Sequence, residues 1–216
     1  MGKIKRIMSF MKRVIGIKIS ESCIVDKEKY IPMTSSTMGG RVTARNLLLV
    51  TNAIEKFTLL RAKLQEEGFC VDVELLPEQV RETKGVTQFE KYQVIVIALM
   101  PNRNTSFCEM IQNEYISTYY QQCQAAANYY IERSWKGRIL NVILVPTDCR
   151  DNLVSIAVIR CMLEGLGLAL GNHGIIVNGV IGEGIDQALC AWCAYLCGKF
   201  GDVLAGEVIC LHNENY

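Results

Sequence analysis

The chain has 216 residues, of which 50% are hydrophobic and 21% charged, and its formal net charge is +1. This length and composition predict a globular protein that can bury the core of one domain, and they exclude a disordered chain. The near-neutral charge gives no argument for nucleic acid as a partner. No apolar run approaches the roughly 20 residues that a membrane span requires, so the sequence predicts no membrane partner either.

The N-terminal residues and the cysteines bear on the cellular compartment. Residues 1–13 are basic with scattered apolar side chains, and they lack the long apolar segment and the cleavage site of a secretory signal. They are typical of a solvated, amphipathic chain end, with a helix on a membrane surface as the alternative. Together with ten cysteines, the lack of a signal predicts a cytoplasmic protein whose thiols stay reduced.

The order of predicted elements indicates the fold class. One strand is predicted in residues 1–44, at Val14–Ile19, and a loop-like stretch follows at 34–40. From Arg45, segments rich in Val, Leu and Ile alternate with helical ones, as in a parallel sheet covered by helices on both faces. The predicted strands are Leu47–Thr51, Cys70–Leu76, Gln93–Leu99, Ile139–Val145, Ile175–Val180 and Val208–Leu211. The predicted helices are Glu55–Glu67 with Gly68 as its C-terminal cap, one or two within Cys108–Ser134, Asn152–Leu170 and Gly184–Cys197.

Four segments resemble characteristic segments of the short-chain dehydrogenase/reductase family, in the family's order and at nearly its spacing. Gly137–Val142 is similar to the family strand G-R-I-V-N-I, and Met162–Leu170 to its helix K-A-A-L-E-G-L-x-x-x-L-A. Gly174–Val180 is similar to the strand I-x-V-N-x-V, and Leu204–Ile209 to the closing x-x-G-E-V-I. The resemblance implies a doubly wound, mostly parallel Rossmann-type sheet of about six strands over residues 45–216, preceded by an N-terminal extension, 1–44, without a family counterpart.

The resemblance also implies a shortened fold and a lost cofactor site. Only sixteen residues follow Leu76 before the next predicted β-rich segment, too few for the helix, strand and helix of the family. One strand and one helix are therefore predicted to be missing after the second strand. The family binds the NAD pyrophosphate with T-G-x-x-x-G-x-G, because glycines let the backbone approach the phosphates. Laid on Thr51, the three glycine positions hold Asn52, Lys56 and Thr58. No NAD binding by this chain is expected, although Lys56 leaves a different anion open.

The family's catalytic positions are also changed. A tyrosine acts there as the acid/base, and a lysine four residues later on the same helical face lowers its pKa. A serine on the preceding strand and an asparagine complete the set. Anchored on the helix motif, the positions are occupied by Ile156 for tyrosine, Arg160 for lysine, Leu144 or Val145 for serine and, approximately, Ile116 for asparagine. Isoleucine cannot transfer a proton, so the resemblance implies that the chain has no catalytic residues of the family type.

The cysteines could supply other chemistry. Cys190, Cys193 and Cys197 are spaced to share one helical face. A metal site needs a fourth ligand and usually takes its ligands from separated pairs, so no metal is predicted. Packing in the core is the favoured interpretation, and a redox pair is the alternative.

The resemblance finally implies a partner. Family members assemble through the two helices that flank the catalytic strand, and also through the last helix and strand. The candidates for the first surface are Tyr120, Tyr130, Met162 and Leu166. We therefore predict a non-catalytic subunit, which joins an active short-chain dehydrogenase paralogue in a heterotetramer whose active subunits carry NAD.

The narrower hypothesis is that the complex oxidises a hydroxyacyl-CoA. The (hydroxybenzyl)succinyl-CoA dehydrogenases of anaerobic toluene (benzylsuccinate) degradation resemble this case, because one of their subunits lacks the cofactor site. Two alternatives stay open. The chain could be a free-standing ligand-binding or regulatory module on a Rossmann-type fold, or an enzyme whose chemistry has moved to a cysteine.

Overall fold

The hydrophobic segments form the strands of one parallel sheet in the computed structural model, which describes residues 24–26, 45–76, 92–101, 114–145, 152–198, 201 and 204–212. The strands are β1 (Ile24–Asp26), β2 (Arg45–Thr51), β3 (Phe69–Leu75), β4 (Val94–Leu99), β5 (Gly137–Leu144), β6 (Ile175–Gly182) and β7 (Val208–His212). Their spatial order is β1-β7-β6-β5-β4-β2-β3, and all neighbouring strands are parallel. The predicted α/β fold is confirmed, and all six strands predicted after residue 45 are present.

Helices cover both faces of this sheet, as the doubly buried strands require. They are α1 (Thr58–Glu66), α2 (Glu114–Glu132), α3 (Asn152–Gly171) and α4 (Gln187–Cys197). Helices α2 and α3 pack on one face, and α1 and α4 on the other. A 3₁₀ turn, Ile54–Phe57, forms the start of the segment that was predicted to be wholly α-helical. Gly68 ends α1 with a positive φ of 87°, as its position predicts. None of the described helices is both long and apolar enough to cross a membrane.

The edges of the sheet differ from those that the sequence predicts. Strand β1 comes from the N-terminal region and pairs with the last strand, from Ile24 opposite Cys210 to Asp26 opposite His212. Three residues of the predicted extension therefore belong to the same sheet as the rest of the chain. The strand predicted at Val14–Ile19 lies outside the described residues. At the other edge no described strand lies beyond β3, which is compatible with a strand lost after it; residues 77–91 lie outside the described part.

A close approach between α3 and the loop before β7 holds the C-terminal half together. A Cβ added to Gly167 would lie 2.6 Å from the Cα of Gly206, so only glycine lets the helix pack at this distance. Asn178 on β6 fixes the same loop: its amide donates to the Leu204 carbonyl at 2.6 Å and accepts from the Glu207 N–H at 3.0 Å. These contacts join the segments that carry the family resemblance.

The strand order reverses at β2, because the chain adds successive strands on opposite sides of it. From β2 it continues to β3 on one side, and it later returns to β4 on the other side. In open parallel sheets, ligands bind at the carboxyl ends of the strands beside such a reversal. The edge formed by the ends of β2, β4, β5 and β6, which we call the carboxyl edge, is therefore the candidate functional site.

Candidate functional site

The turn from β2 into α1 uses its polar groups internally. The Thr51 hydroxyl accepts from the Ala53 N–H at 3.1 Å, and the Lys56 N–H donates to the Ala53 carbonyl at 3.0 Å. Phe57 is fully buried in the core of this face, whereas Lys56 and Thr58 are exposed. A phosphate site at a helix start needs N–H groups that point outward and glycines that admit the ligand. This turn has side chains at all three predicted glycine positions and uses the Lys56 N–H for its own 3₁₀ turn.

Asn52 joins the ends of β2 and β4. Its amide Nδ2 donates to the Met100 carbonyl at 3.0 Å, and its Oδ1 accepts from the Met100 N–H at 2.8 Å. One side chain thus satisfies both backbone groups of the residue that follows β4. These two hydrogen bonds lie at the point where the strand order reverses. A pyrophosphate would have to lie at the same point in this fold.

Two tyrosines of α2 join the ends of β4 and β5. The Tyr119 hydroxyl accepts from the Leu99 N–H at 2.9 Å and donates to the Val142 carbonyl. One helical turn earlier, the Tyr115 hydroxyl donates to the Leu99 carbonyl at 3.0 Å and lies 3.4 Å from the Leu144 carbonyl. The two rings pack edge to face, with centroids 5.2 Å apart. The hydroxyls therefore lie in the gap between the two strand ends.

The environment of the tyrosines makes them poor acids. Burial raises the pKa of Tyr115 above its ordinary value, and burial together with the neighbouring Tyr115 raises the pKa of Tyr119 well above its ordinary value. Both hydroxyls stay protonated at neutral pH and act as hydrogen-bond donors. The structure thus places tyrosines near the edge where the family uses one, but their pKa values are shifted away from those that acid/base catalysis requires.

The positions of the family's catalytic residues hold packed or paired side chains. Ile156 and Ile116 pack against the core of the α2–α3 face. The Arg160 Nε donates to Glu164 Oε1 at 2.6 Å on the same helix. Val145 is buried, and its N–H donates to the Gly182 carbonyl at 2.9 Å, which joins the ends of β5 and β6. We find no acid/base pair of the family type among these residues.

The cysteines of α4 are buried in the opposite core, as the favoured interpretation predicts. Cys190, Cys193 and Cys197 are all at most 1% exposed. Burial raises the pKa of Cys190 and of Cys197 to about 12, and raises the pKa of Cys193 well above its ordinary value. Protonated thiols are poor nucleophiles and poor metal ligands. In the described part of the chain, no group of three or more His, Cys, Asp or Glu side chains could hold a metal ion.

The predicted interface residues fall into three classes. Tyr120 is 45% exposed, which agrees with its predicted position on the outer side of α2. Met162 and Leu166 are half-buried and pack partly against their own core. The assignment of Tyr130 to an exposed surface is wrong: it is fully buried, its hydroxyl donates to the Tyr92 carbonyl at 3.1 Å, and its ring lies where a side chain at Gly137 would be.

The sequence identifies Asn52 as a side chain at a phosphate-binding glycine position. It does not reveal the hydrogen bonds from Asn52 to Met100, nor the roles of Tyr115 and Tyr119. The available signal was the spacing of four between two tyrosines, which places both on one face of α2. The spacing indicates a shared face, but not which strands that face meets. The strand atoms that the hydroxyls contact lie 16 to 29 residues away in the chain, so the sequence alone does not identify them.

The described residues do not fit a dinucleotide at this edge. The fold would place the pyrophosphate between the ends of β2 and β4, where the Asn52 amide bonds to Met100. The nicotinamide would lie near the ends of β4 and β5, where Tyr115 and Tyr119 bond to strand backbone.

Comparison by sequence finds no match, either among family models or among curated proteins. Comparison by structure finds short-chain dehydrogenases. One from Leptospira borgpetersenii, solved with bound NAD+, has a TM-score of 0.56 and 12% identity, over 78% of this chain and 91% of that one. An acetoin dehydrogenase from Enterobacter cloacae has a TM-score of 0.59 and 13% identity, over 80% and 99%. A second, from Salmonella typhimurium, has 0.54 and 16%, over 78% and 95%. At these identities the likeness shows the fold: the chain has the fold of the short-chain dehydrogenases.

Proposed function

We propose that this chain is a non-catalytic subunit of a hetero-oligomeric dehydrogenase. In this complex an active paralogue with the same fold binds NAD and oxidises the substrate, and this chain stabilises or completes it. The first half of the proposal is that this chain is non-catalytic. It rests on the carboxyl edge, where the side chains of Asn52, Tyr115 and Tyr119 form hydrogen bonds with the strand ends. A chain that keeps the fold but not its usual ligand site can still function through another surface, such as one that binds a partner.

The outer surfaces of the helices support the second half. Helix α2 carries charged residues only at its two ends, α3 carries a single Arg160–Glu164 ion pair, and α4 carries none. By contrast α1 presents Arg61 and Glu66 to water. Solvated helices normally place charges on their outer side, and uncharged outer faces are typical of surfaces that a partner covers. Exposed apolar side chains lie on or directly after α2 and α3: Tyr120, Ile131, Trp135 and Leu168.

A heterotetramer of two subunits of each kind requires two different surfaces on each subunit. The α2–α3 side supplies the first. The α4 side, with half-buried Trp192 and Tyr195 in edge-to-face contact, is the candidate for the second. Strand β1 occupies the edge of β7, so in this subunit the second contact would be made by α4 rather than by the edge of the last strand.

The substrate of the complex is a narrower proposal. It rests on the family resemblance, since paired active and inactive subunits occur among dehydrogenases of hydroxyacyl-CoA compounds. We place the partner's substrate in this class, with a benzylsuccinate-type intermediate of anaerobic toluene degradation as the specific candidate. No residue of this chain is assigned to substrate recognition.

The proposal is tested by co-expression. The chain is tagged and produced together with the short-chain dehydrogenase encoded beside it, provided that this neighbour has intact T-G-x-x-x-G-x-G and Y-x-x-x-K motifs. Affinity capture and native mass measurement should give a complex of both chains. If the tagged chain elutes alone as a well-behaved monomer, the partnership is wrong and the binding-module alternative takes its place.

A calorimetric titration of the isolated chain tests whether the carboxyl edge can bind a dinucleotide. No binding of NAD or NADP is expected at millimolar cofactor. A dissociation constant below about 100 μM, which corresponds to some −5.5 kcal/mol, would contradict the proposal.

A further inference from the structure

We propose that Asn52, Tyr115 and Tyr119 form a clasp that holds the ends of β2, β4 and β5 together without a ligand, so that this chain is fully folded in the absence of any cofactor. This inference deepens the proposed function and rests on it in one respect: a subunit that needs no NAD can assemble with its partner whatever the cofactor supply. The clasp itself is a property of the isolated chain.

The first part of the clasp is Tyr119. Its ring is fully buried, and its hydroxyl connects the Leu99 N–H on β4 with the Val142 carbonyl on β5. Removing the oxygen would leave a backbone donor and a backbone acceptor without this partner inside the protein. Buried backbone groups that lose their partners are costly, because water cannot replace the lost bond. Tyr119 therefore links two strand ends in addition to filling space.

The second part is Asn52, which does the same between β2 and β4. Both Met100 backbone groups bond to its side chain, within 3.0 Å. Tyr115 adds a bond to the Leu99 carbonyl. The three side chains thus act on two consecutive residues, Leu99 and Met100, at the point where β4 ends. In an enzyme of this fold the corresponding edge faces the cofactor, whose binding stabilises the folded state by mass action.

The sign of the stability change distinguishes a clasp from a ligand site. Residues of a working ligand site are commonly suboptimal for stability, so replacing them leaves the protein equally stable or more stable. Replacing a residue of the clasp should destabilise the chain. The purified chain, without a partner and without cofactor, is the right material for the comparison.

The experiment measures thermal unfolding and amide hydrogen exchange of the wild type, Tyr119→Phe and Asn52→Ala. Each substitution should lower the Tm by roughly 3–8 °C, given the loss of partners for two backbone groups in a chain of this size. The Leu99 amide in Tyr119→Phe and the Met100 amide in Asn52→Ala should exchange about tenfold faster or more, beyond the change at distant amides. Tyr120→Phe is the matched control, because this neighbouring ring is 45% exposed, and its Tm should change by less than about 1 °C.

Addition of about 1 mM NAD should leave the Tm of all variants unchanged, since a ligand that does not bind cannot stabilise. An unchanged or raised Tm in Tyr119→Phe and Asn52→Ala would overturn the clasp, whatever the partner experiment shows. An NAD-dependent rise in the wild-type Tm would overturn it as well. Loss of partner capture with a normal clasp would instead contradict only the proposed function.

Discussion

At the carboxyl edge of the sheet, Asn52 and Tyr119 direct their polar groups inward, to backbone atoms of β4 and β5. On the outer side of α2 and α3, Tyr120 and Leu168 instead leave apolar atoms in contact with water, and Leu168 is 72% exposed. A ligand site normally presents a few polar groups to its ligand, whereas these polar groups already have partners within the chain. From this difference we propose that the chain binds a partner through its helices rather than a ligand at the carboxyl edge.

The largest effect is expected at the helices. Tyr120→Asp combined with Leu168→Asp should weaken the complex with the partner by about 1,000-fold, because two charges would be buried against an apolar surface. Both side chains are exposed in this chain, so the free double variant should keep its far-UV circular dichroism spectrum and its Tm. Met162→Asp or Leu166→Asp is less informative, since these residues also pack on their own core. Undiminished capture of the partner by the folded double variant would contradict the role of these helices.

The next effect concerns the buried thiols and tests the cysteine-enzyme alternative. With a pKa of about 12 for Cys190 and Cys197, the thiolate fraction at pH 8 is on the order of 10⁻⁴. Alkylation of the native chain, followed by peptide mass analysis, should label exposed Cys70 roughly 100-fold faster or more. After unfolding, the rates should converge. Rapid native labelling of any cysteine of α4 would favour relocated cysteine chemistry.

The pH dependence of stability follows from the same thiols. Their pKa values are raised in the folded state, so they contribute stability that is present below about pH 9, the ordinary thiol range, and lost as the pH rises towards 12. The unfolding free energy should therefore fall between about pH 9 and 10.5. A Cys190→Ala, Cys197→Ala double variant should show a shallower fall in denaturant titrations. Equal slopes in both proteins would mean that these thiols are not shifted.

A smaller effect, on stability, is expected from alanine substitutions at two glycines of α3. Gly167→Ala should destabilise the isolated chain by roughly 1–3 kcal/mol, because the added methyl group collides with Gly206 backbone. Gly165→Ala is the matched control on the same helix: no atom lies within 4 Å of its added Cβ. This variant should be neutral or more stable by up to about 1 kcal/mol, from helix propensity alone. If Gly165→Ala destabilised the chain as much as Gly167→Ala, the close approach to Gly206 would not be the cause.

The smallest effect is expected from restoring the family's catalytic pair. Ile156→Tyr with Arg160→Lys should produce no dehydrogenase activity, since the serine position holds Val145 and the carboxyl edge is bridged. Activity is followed as NAD reduction with hydroxyacyl-CoA substrates. Measurable turnover by the purified double variant would show that the edge admits a cofactor.

The elements of the fold could be predicted from the sequence because parallel strands buried on both faces are nearly continuous apolar runs, as in β4. The lost glycines could be predicted too, because a missing residue type is visible in the sequence. The clasp could not, since the hydroxyl of Tyr119 bonds to backbone atoms, which carry no sequence signal. Tyr130 was misplaced for a related reason: its burial depends on the space above Gly137, a contact between separate elements.

The edge strand β1 was not predicted either. Three residues form too short a run for a period of two to be recognised. Their strand identity depends on β7, almost 190 residues later in the chain, which supplies the pairing groups.

We propose that this chain assembles with an active dehydrogenase but binds no cofactor itself. Native mass measurement of the captured complex in the presence of saturating NAD tests both halves at once, because it counts subunits and bound NAD molecules together. We expect a complex of both chains with one NAD for each partner subunit and none for this chain. A complex that binds one NAD per subunit of either kind, or a chain that is captured alone, would contradict it.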